Sequence, residues 1–244
     1  LPIFWGDLQS SRAEIKFAGN SEHVLSSDKF LENPLSFQGV LQSNPQPRDI
    51  ILVVDVSGST SDSDPKRADG KCARYDAVKS VIDLAKAQGA SRFGVITFNY
   101  DVVVNSGDFY SSLEEMFPKQ EAASILCESQ RTTNFQQPLV AAIKFFELKS
   151  QPTRMRELYF ITDGRPEYFD NFSYYDCNFQ DFCSGIPQAE FLKSRGVLLS
   201  TVMLGGDSYG SDYLNTYIAG VGPDNKKLHV EAKTARSEEH TSEL

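Results

Sequence analysis

The chain lacks the features that define several common classes of protein. Its 244 residues contain no run of eighteen or more apolar residues, so no segment is expected to span a membrane as a helix. An excess of basic residues is also absent, and the formal net charge of -9 argues against a nucleic-acid partner, whose phosphates require basic patches. Neither GxxxxGK(S/T) nor GxGxxG occurs, so nucleotide-binding loops are missing. With 40% hydrophobic residues, the composition predicts one large globular domain with a sizeable core, or a domain with a short appendage.

The cysteines are not arranged for zinc. Cys72, Cys127, Cys177 and Cys183 contain no CxxC pair, and the chain has only three histidines. An even number of cysteines in a domain of this size fits two disulfides and an oxidising compartment. Four free thiols are the alternative.

Apolar strands alternate with amphipathic helices from residue 50 onward. This alternation is typical of a parallel sheet whose two faces are both covered by helices. The sequence therefore predicts an α/β fold with a doubly wound, mostly parallel central sheet. The predicted strands are 50–56, 93–98, 158–162, 197–204 and 227–230, with a hairpin partner at 102–104, and the predicted helices are 74–88, 135–148 and 213–219.

The two ends differ from this regular region. Residues 1–47 show no clear period and many turn formers, and we expect a lead-in segment there with one or two strands. The last nine residues, 236–244 (RSEEHTSEL), resemble the in-frame translation of a common sequencing-library adapter. We therefore interpret this tail as not native and place the predicted domain at residues 48–235.

Polar residues gather where the predicted strands end. Asp55, Ser57 and Ser59 follow the first strand, Asp163 follows the third, and Thr133 precedes a helix. Each alone has a simpler explanation, because Asp and Ser build turns and Thr caps helices. Together they place two carboxylates and three hydroxyls near the carboxyl ends of the strands, where α/β sheets bind ligands. Oxygen ligands suit a hard divalent cation such as Mg²⁺, and no nitrogen or sulfur ligand is nearby in sequence.

These residues also carry a resemblance to a known family. Asp55-x-Ser57-x-Ser59, Thr133 in TTNF and Asp163 in FITDG resemble the metal-ion-dependent adhesion site of von Willebrand factor type A (vWA) domains. The resemblance implies a Rossmann-like fold in which Ser57, Ser59 and Thr133 give hydroxyl oxygens to Mg²⁺. Asp55 and Asp163 are then near the metal directly or through water, and Mn²⁺ or Ca²⁺ are alternative cations. A carboxylate from a protein partner or other ligand often completes the coordination in this family.

The resemblance covers residues 48–230 and raises the question of a second cation. Some integrin-type relatives carry a further acidic residue seven positions after the first Asp, at an adjacent cation site. Asp62 has that spacing and Asp64 is close, but Ser63 stands where an acidic neighbour is expected. Two interpretations of this segment therefore stay open, a second cation site and an ordinary solvated turn.

An aromatic insertion follows Asp163. Residues 167–187 contain seven aromatic side chains, a density far above the chain's average of 11%. One interpretation is a small core around a Cys177–Cys183 bridge, whose cysteines are six residues apart. The other is a recognition surface beside the metal, because aromatic residues are enriched where proteins bind partners.

The second predicted bridge joins two loops at the predicted site. Cys72 lies just before the first helix and Cys127 lies six residues ahead of Thr133. Both loops start from the metal-bearing edge of the predicted sheet, so Cys72–Cys127 is the pairing that the topology allows best.

The leading hypothesis for function is a non-enzymatic binding module of an extracellular or cell-envelope protein. It predicts divalent-cation-dependent adhesion to a protein or other ligand. The alternative is a Mg²⁺-dependent phosphohydrolase with Asp55 as nucleophile, but that chemistry usually needs a second acid two residues later, where Ser57 stands. No histidine lies near the three loops in sequence to help with proton transfer. A structural domain whose site no longer works is a third hypothesis.

Overall fold

The computed structural model describes most of the chain from residue 47 onward and three short segments before it. The described residues are 3–5, 12–17, 24–26, 47–87, 89, 91–117, 121–129, 132–170, 173–176, 184–205, 208–222 and 225–232. Within these ranges, no helix is long and apolar enough to cross a membrane.

Three short strands precede the regular region. β1 (Ile3–Trp5), β2 (Arg12–Phe17) and β3 (Val24–Ser26) form an antiparallel sheet in that order. The described part of the lead-in segment thus contains three strands, where the sequence predicts one or two. Strands of three to six residues are too short for their alternation to stand out in a sequence.

Eight further strands follow in the described residues, and six of them form the central sheet. Their bounds are β4 (Arg48–Asp55), β5 (Ser91–Phe98), β6 (Val102–Asn105), β7 (Met155–Thr162), β8 (Glu167–Asp170), β9 (Ser173–Asp176), β10 (Leu198–Leu204) and β11 (His229–Ala232). The order in the central sheet is β11-β10-β7-β4-β5-β6, while β8 and β9 form a separate hairpin. Every neighbouring pair in the central sheet is parallel except the antiparallel hairpin β5–β6. The prediction of a mostly parallel α/β sheet is confirmed.

Helices cover both faces of this sheet. They are α1 (Thr60–Ser63), α2 (Ala73–Ala87), α3 (Leu113–Met116), α4 (Glu121–Leu126), α5 (Gln136–Lys149), α6 (Ile186–Ser194) and α7 (Ser208–Tyr213), which continues as a π-helical turn, Leu214–Ile218. Ile50, Leu52 and Val54 of β4 pack in one cluster with α2, α3 and α4, whereas Ile51 and Val53 pack in a second cluster with α5 and α6. Because successive side chains of β4 pack alternately into two different hydrophobic clusters, the doubly wound architecture is confirmed.

The helix α2 forms on a regular apolar spacing. Asp76 in its first turn and Lys86 in its last turn both complement the helix dipole. Its observed bounds agree with the predicted helix 74–88 to within one residue at each end. The buried residues recur three and four positions apart on one face: Ala77, Val78, Val81, Ile82 and Ala85.

The helix α5 approaches the sheet closely at Gly94. A Cβ atom at this position would lie 2.7 Å from Cζ of Phe145, well inside van der Waals contact. The absence of a side chain at Gly94 therefore sets how near α5 packs to β5.

Short elements escaped prediction from the sequence. Each of these elements has only four to six residues, which is shorter than the window in which hydrophobic periodicity can be detected. They are the helices α1, α3 and α4 and the two strands of the hairpin, β8 and β9. The nine-residue helix α6 was missed as well. The predicted helix 213–219 is the end of α7 and the π-helical turn that follows it.

Candidate metal site

The two aspartates of the predicted site lie at the same edge of the sheet. β4 and β7 are parallel neighbours, and Val54 pairs with Ile161, so Asp55 is level with Thr162. The hydroxyl of Thr162 donates a hydrogen bond to Oδ2 of Asp55 over 2.5 Å. Asp163 is the next residue, and its carboxylate is therefore beside that of Asp55 at the carboxyl edge.

The loop after β4 folds its hydroxyls around these carboxylates. The backbone N–H of Ser57 donates to Oδ1 of Asp55 over 2.7 Å. The hydroxyl oxygens of Ser57 and Ser59 are 3.2 Å apart, and Ser59 donates to Oδ1 of Asp163 over 3.0 Å. Ser57 is buried whereas Ser59 is exposed, so this chain of oxygens runs from the interior to the surface.

The short helix α1 adds one more hydroxyl. It places Ser63 one turn after Ser59, and the Ser63 hydroxyl donates to Oδ2 of Asp163. Both oxygens of Asp163 are thus engaged by serines of the first loop, which ties the loops after β4 and β7 together. The sequence pattern contained Ser63 but did not indicate this role, because α1 was not predicted.

Thr133 joins the site through its backbone. Its carbonyl accepts a hydrogen bond from the N–H of Glu167 over 2.7 Å, which connects its loop to the segment after Asp163. The capping role that a threonine before a helix would suggest falls to Asn134, whose Oδ1 accepts from the N–H of Gln136 over 2.9 Å. Thr133 is buried.

Burial perturbs both carboxyl groups, and the charge of Asp163 also acts on Asp55. Burial raises the pKa of Asp55 to about 7, with the nearby charge of Asp163 adding to the rise and the hydrogen bonds from Thr162 and Ser57 opposing it. Burial also raises the pKa of Asp163, against hydrogen bonds from the serines of the first loop and the charge of a nearby arginine. Two buried carboxylates side by side are unfavourable as anions, and a bound cation removes that cost.

The donor set fits a hard cation that keeps an open position. No group of three or more His, Cys, Asp or Glu side chains comes together anywhere in the described part of the chain, so a cage of charged ligands is absent there. If each group binds through one oxygen, two carboxylates and three hydroxyls fill five of six positions, which leaves room for water or an incoming ligand.

Comparison with known proteins identifies the family. The family model described as the von Willebrand factor type A domain matches residues 50–165, which include all five predicted site residues. The chain contains a vWA domain. A search of curated protein sequences gave no match.

Three solved structures show the same fold as this vWA domain. The vWF domain of the type V pili tip protein Mfa5 from Porphyromonas gingivalis has a TM-score of 0.56 and 12% identity, covering 78% of this chain and 91% of that one. Proximal thread matrix protein 1 of the mussel byssus, with a zinc-occupied MIDAS motif, has a TM-score of 0.53 and 16% identity, covering 78% and 44%. The pilus adhesin SpaC from Lactobacillus rhamnosus GG has a TM-score of 0.51 and 17% identity, covering 98% and 32%. The chain thus spans less than half of the mussel protein and about a third of SpaC.

A buried arginine that the sequence did not reveal supports the loop after β4 of the vWA domain. Arg74 of α2 is fully buried, and its Nε donates to Oδ2 of Asp64 over 2.8 Å. Its Nη1 donates to the carbonyl of Asp55 over 2.8 Å and to the hydroxyl of Thr60 over 2.7 Å. One guanidinium therefore fixes both the end of β4 and the start of α1.

Asp64 has a structural role in this arrangement. Besides Arg74, its carboxylate accepts hydrogen bonds from the backbone N–H groups of Ala73 and Arg74 at the start of α2, over 2.6 and 2.9 Å. Its oxygens are thus used to cap the helix, which speaks against the idea that Asp64 serves a second cation. The side chain of Asp62 lies outside the described part of the chain.

One of the two predicted disulfides is present. Cys72 and Cys127 are joined, with their sulfurs 2.04 Å apart, so that bridge is confirmed. The bridge ties the segment before α2 to Cys127. The next residue, Glu128, accepts a hydrogen bond through its carbonyl from Nη1 of Arg74 over 3.2 Å, so the bridge and Arg74 join the same two segments. Cys177 and Cys183 lie outside the described residues, as do the aromatic side chains of the insertion, so the Cys177–Cys183 bridge stays a prediction.

Proposed function

We propose that this vWA domain binds a divalent cation, Mg²⁺ in the first instance, and through it a carboxylate of a protein ligand. The proposed metal residues are Asp55, Ser57, Ser59, Thr133 and Asp163. The observation that carries the proposal is the hydrogen-bonded chain from Ser57 through Ser59 to Asp163, which brings hydroxyls of one loop onto a carboxylate of another beside a second buried carboxylate.

The serine hydroxyls suit this role without breaking their present hydrogen bonds. A hydroxyl has one proton and two lone pairs, so Ser59 can donate to Asp163 and still offer a lone pair to a cation. The bonds to Asp163 then orient the oxygen toward the metal, as outer partners do for metal ligands generally.

The charge balance favours a ligand with a carboxylate. Two aspartates neutralise a divalent cation but add no excess negative charge, so a cation with mostly neutral remaining ligands stays strongly attractive to an anion. A carboxylate from a partner is the hard oxygen ligand that such a cation prefers.

The compartment and the absence of enzymatic activity belong to the same proposal. The Cys72–Cys127 bridge is typical of an oxidising environment. Pilus proteins and a byssal thread protein share the fold, which agrees with an extracellular or cell-envelope location and with adhesion. A phosphohydrolase is not favoured, because Ser57 occupies the place of the second acid and its N–H holds Asp55. Binding to nucleic acid is not proposed either.

Titration calorimetry with Mg²⁺, Mn²⁺ and Ca²⁺ tests the metal site. We expect one principal site in the wild-type chain and its loss in Asp163→Ala. Asp83→Ala is a matched control, because this carboxylate is exposed on α2, where it forms a surface ion pair with Lys79. Equal binding by wild type and a folded Asp163→Ala variant would refute the assignment.

A further inference from the structure

The hydroxyl of Ser63 has two acceptors within reach. It donates a hydrogen bond to Oδ2 of Asp163, and the backbone carbonyl of Ser59 lies 3.2 Å from the same Oγ. A serine has one hydroxyl proton, so it serves only one of these acceptors at a time. The carbonyl one turn earlier is the usual acceptor for a serine inside a helix. The bond to Asp163 is the stronger of the two, because its acceptor is charged.

The backbone is fixed on both sides of Ser63. On one side, the N–H of Ser63 donates to the carbonyl of Ser59 over 3.2 Å, which closes the single turn of α1. On the other side, Asp64 is buried, and its carboxylate accepts hydrogen bonds from the start of α2 and from the buried side chain of Arg74. The hydroxyl of Ser63 is therefore presented from a position that its neighbours hold in place.

Ser63 and Ser59 grip the Asp163 carboxylate from one side of α1. They are four positions apart, about one helical turn, so their side chains point the same way. Ser59 donates to Oδ1 over 3.0 Å, and Ser63 donates to Oδ2. The last torsion of an aspartate side chain has only broad preferences of its own, so the hydrogen-bond partners decide where the two oxygens point. The two serines therefore set the orientation of this carboxylate.

The grip leaves the carboxylate able to bind a cation. The two oxygens of an ionised carboxylate offer about four lone-pair sites, and the two serine hydroxyls use two of them. A group that hydrogen-bonds to a metal ligand from outside orients that ligand and raises metal affinity by roughly 10- to 100-fold. Ser59 is itself among the proposed metal residues, whereas Ser63 acts on Asp163 from outside that set.

A fixed carboxylate matters more for Mg²⁺ than for Ca²⁺. Mg²⁺ demands near-octahedral geometry with oxygens at about 2.0–2.1 Å, whereas Ca²⁺ accepts roughly six to eight oxygens at about 2.3–2.6 Å in flexible arrangements. A carboxylate that is free to turn can still offer one or both oxygens to Ca²⁺, but it loses the alignment that Mg²⁺ needs.

We propose that Ser63 is a positioning residue of the metal site, which orients the Asp163 carboxylate toward the cation and thereby favours Mg²⁺ over Ca²⁺. The effect is carried by the Ser63 hydroxyl and does not require Ser63 to bind the cation. This inference rests on the proposed function, because it requires a cation at Asp163.

Calorimetric titrations of the full chain with Mg²⁺ and, separately, with Ca²⁺ test the proposal. They compare the wild type with Ser63→Ala, which removes the hydroxyl, and with Ser63→Thr, which keeps one. Circular dichroism and thermal melting in EDTA report whether each variant is folded without metal.

Ser61→Ala is the matched control. Ser61 lies in the same turn of α1, and its hydroxyl donates to the backbone carbonyl of Gly58 over 2.8 Å. Its single proton is used in that bond, so Ser61 does not donate to Asp163. The substitution removes a serine hydroxyl and its bond to the main chain from the same short helix, and it leaves both serine partners of the carboxylate in place.

We expect Ser63→Ala to weaken Mg²⁺ binding about tenfold and Ca²⁺ binding about twofold, so that the preference for Mg²⁺ falls about fivefold. Ser63→Thr is expected to keep both affinities within about twofold of the wild type, because the donor to Oδ2 is retained. Ser61→Ala is expected to leave both affinities unchanged.

Four results would overturn the inference while leaving the proposed metal site in place. These are wild-type Mg²⁺ affinity in Ser63→Ala, an equal loss for Mg²⁺ and Ca²⁺, the same effect in Ser61→Ala, and failure of Ser63→Thr to restore binding. Ser63→Ala protein that is unfolded in EDTA also overturns it, because the role of Ser63 is then structural. Wild-type protein that binds neither cation overturns the proposed metal site itself.

Discussion

Removing the Cys72–Cys127 disulfide is expected to destabilise the domain strongly. The bridge joins residues 55 positions apart. In the chain-entropy model, closing a loop of that length restricts the unfolded chain by about 4 kcal/mol at 25 °C. The unfolding entropy of a domain near this size is roughly 0.4 kcal/mol/K, so the melting temperature is expected to fall by about 10 °C.

The metal site is expected to survive this loss, because the same loops have a second connection. Arg74 donates to the carbonyls of both Asp55 and Glu128, and the latter residue is next to Cys127. The hydroxyls of Thr60 and Ser129 are also in contact, 2.7 Å apart. Mg²⁺ affinity is therefore expected to fall by no more than about threefold, or about 0.7 kcal/mol.

The assay compares wild type with the double variant Cys72→Ser/Cys127→Ser. Thermal and urea unfolding followed by circular dichroism give the change in stability, and calorimetry gives the affinity for Mg²⁺. A fall in melting temperature of less than about 3 °C would refute the loop-closure argument. Loss of Mg²⁺ binding in a folded double variant would refute the claim that the Arg74 contacts suffice.

Three further predictions concern the site itself. Burial and the charge of Asp163 raise the pKa of Asp55 to about 7, so below that pH a proton competes with the metal for its carboxylate. The ionised fraction of Asp55 falls from about nine-tenths at pH 8 to about one-tenth at pH 6. Mn²⁺ affinity measured by calorimetry is therefore expected to be about tenfold weaker at pH 6 than at pH 8. Mn²⁺ affinity that is the same at pH 6 and pH 8 would contradict this competition between proton and metal. Thr162→Val keeps the shape but removes the hydrogen bond to Oδ2 of Asp55, so Mn²⁺ affinity is expected to fall about tenfold with little change in melting temperature. Purified protein with Mg²⁺ is expected to show no turnover of generic phosphate esters, and turnover that disappears in Asp55→Asn would favour the phosphohydrolase instead.

The central sheet was predictable because its strands are buried on both faces. A segment such as Ile50–Val54 reads as a continuous apolar run, and such runs separated by amphipathic helices leave few alternatives to a parallel sheet. The aspartates at the ends of β4 and β7 follow from the same pattern, since parallel neighbours finish at one edge. The elements that were missed are those too short to display a period.

The supports of the site were not predictable, because they depend on register and long-range contacts. Thr162 holds Asp55 only because β4 and β7 pair in a particular register. Arg74 lies in a helix whose pattern is otherwise ordinary, and its partner Asp64 is ten residues away across a loop. A charged residue in an amphipathic helix is usually interpreted as exposed, and nothing local in the sequence shows that this one is fully buried.

The buried arginine also affects the charge that the proposed metal site would present to a divalent cation. Arg74 is paired with Asp64 and both are buried, so together they contribute no net charge at the edge of the sheet. In the proposed site a cation would then face chiefly the carboxylates of Asp55 and Asp163, although the charge of Arg74 is near enough to act on Asp163. An unpaired arginine at that position would repel the metal, and an unpaired Asp64 would add a third carboxylate and weaken the attraction for a ligand anion. The Arg74–Asp64 pair thus fixes the loop while adding no net charge of its own, which supports the proposal that a metal bound there would still attract a carboxylate.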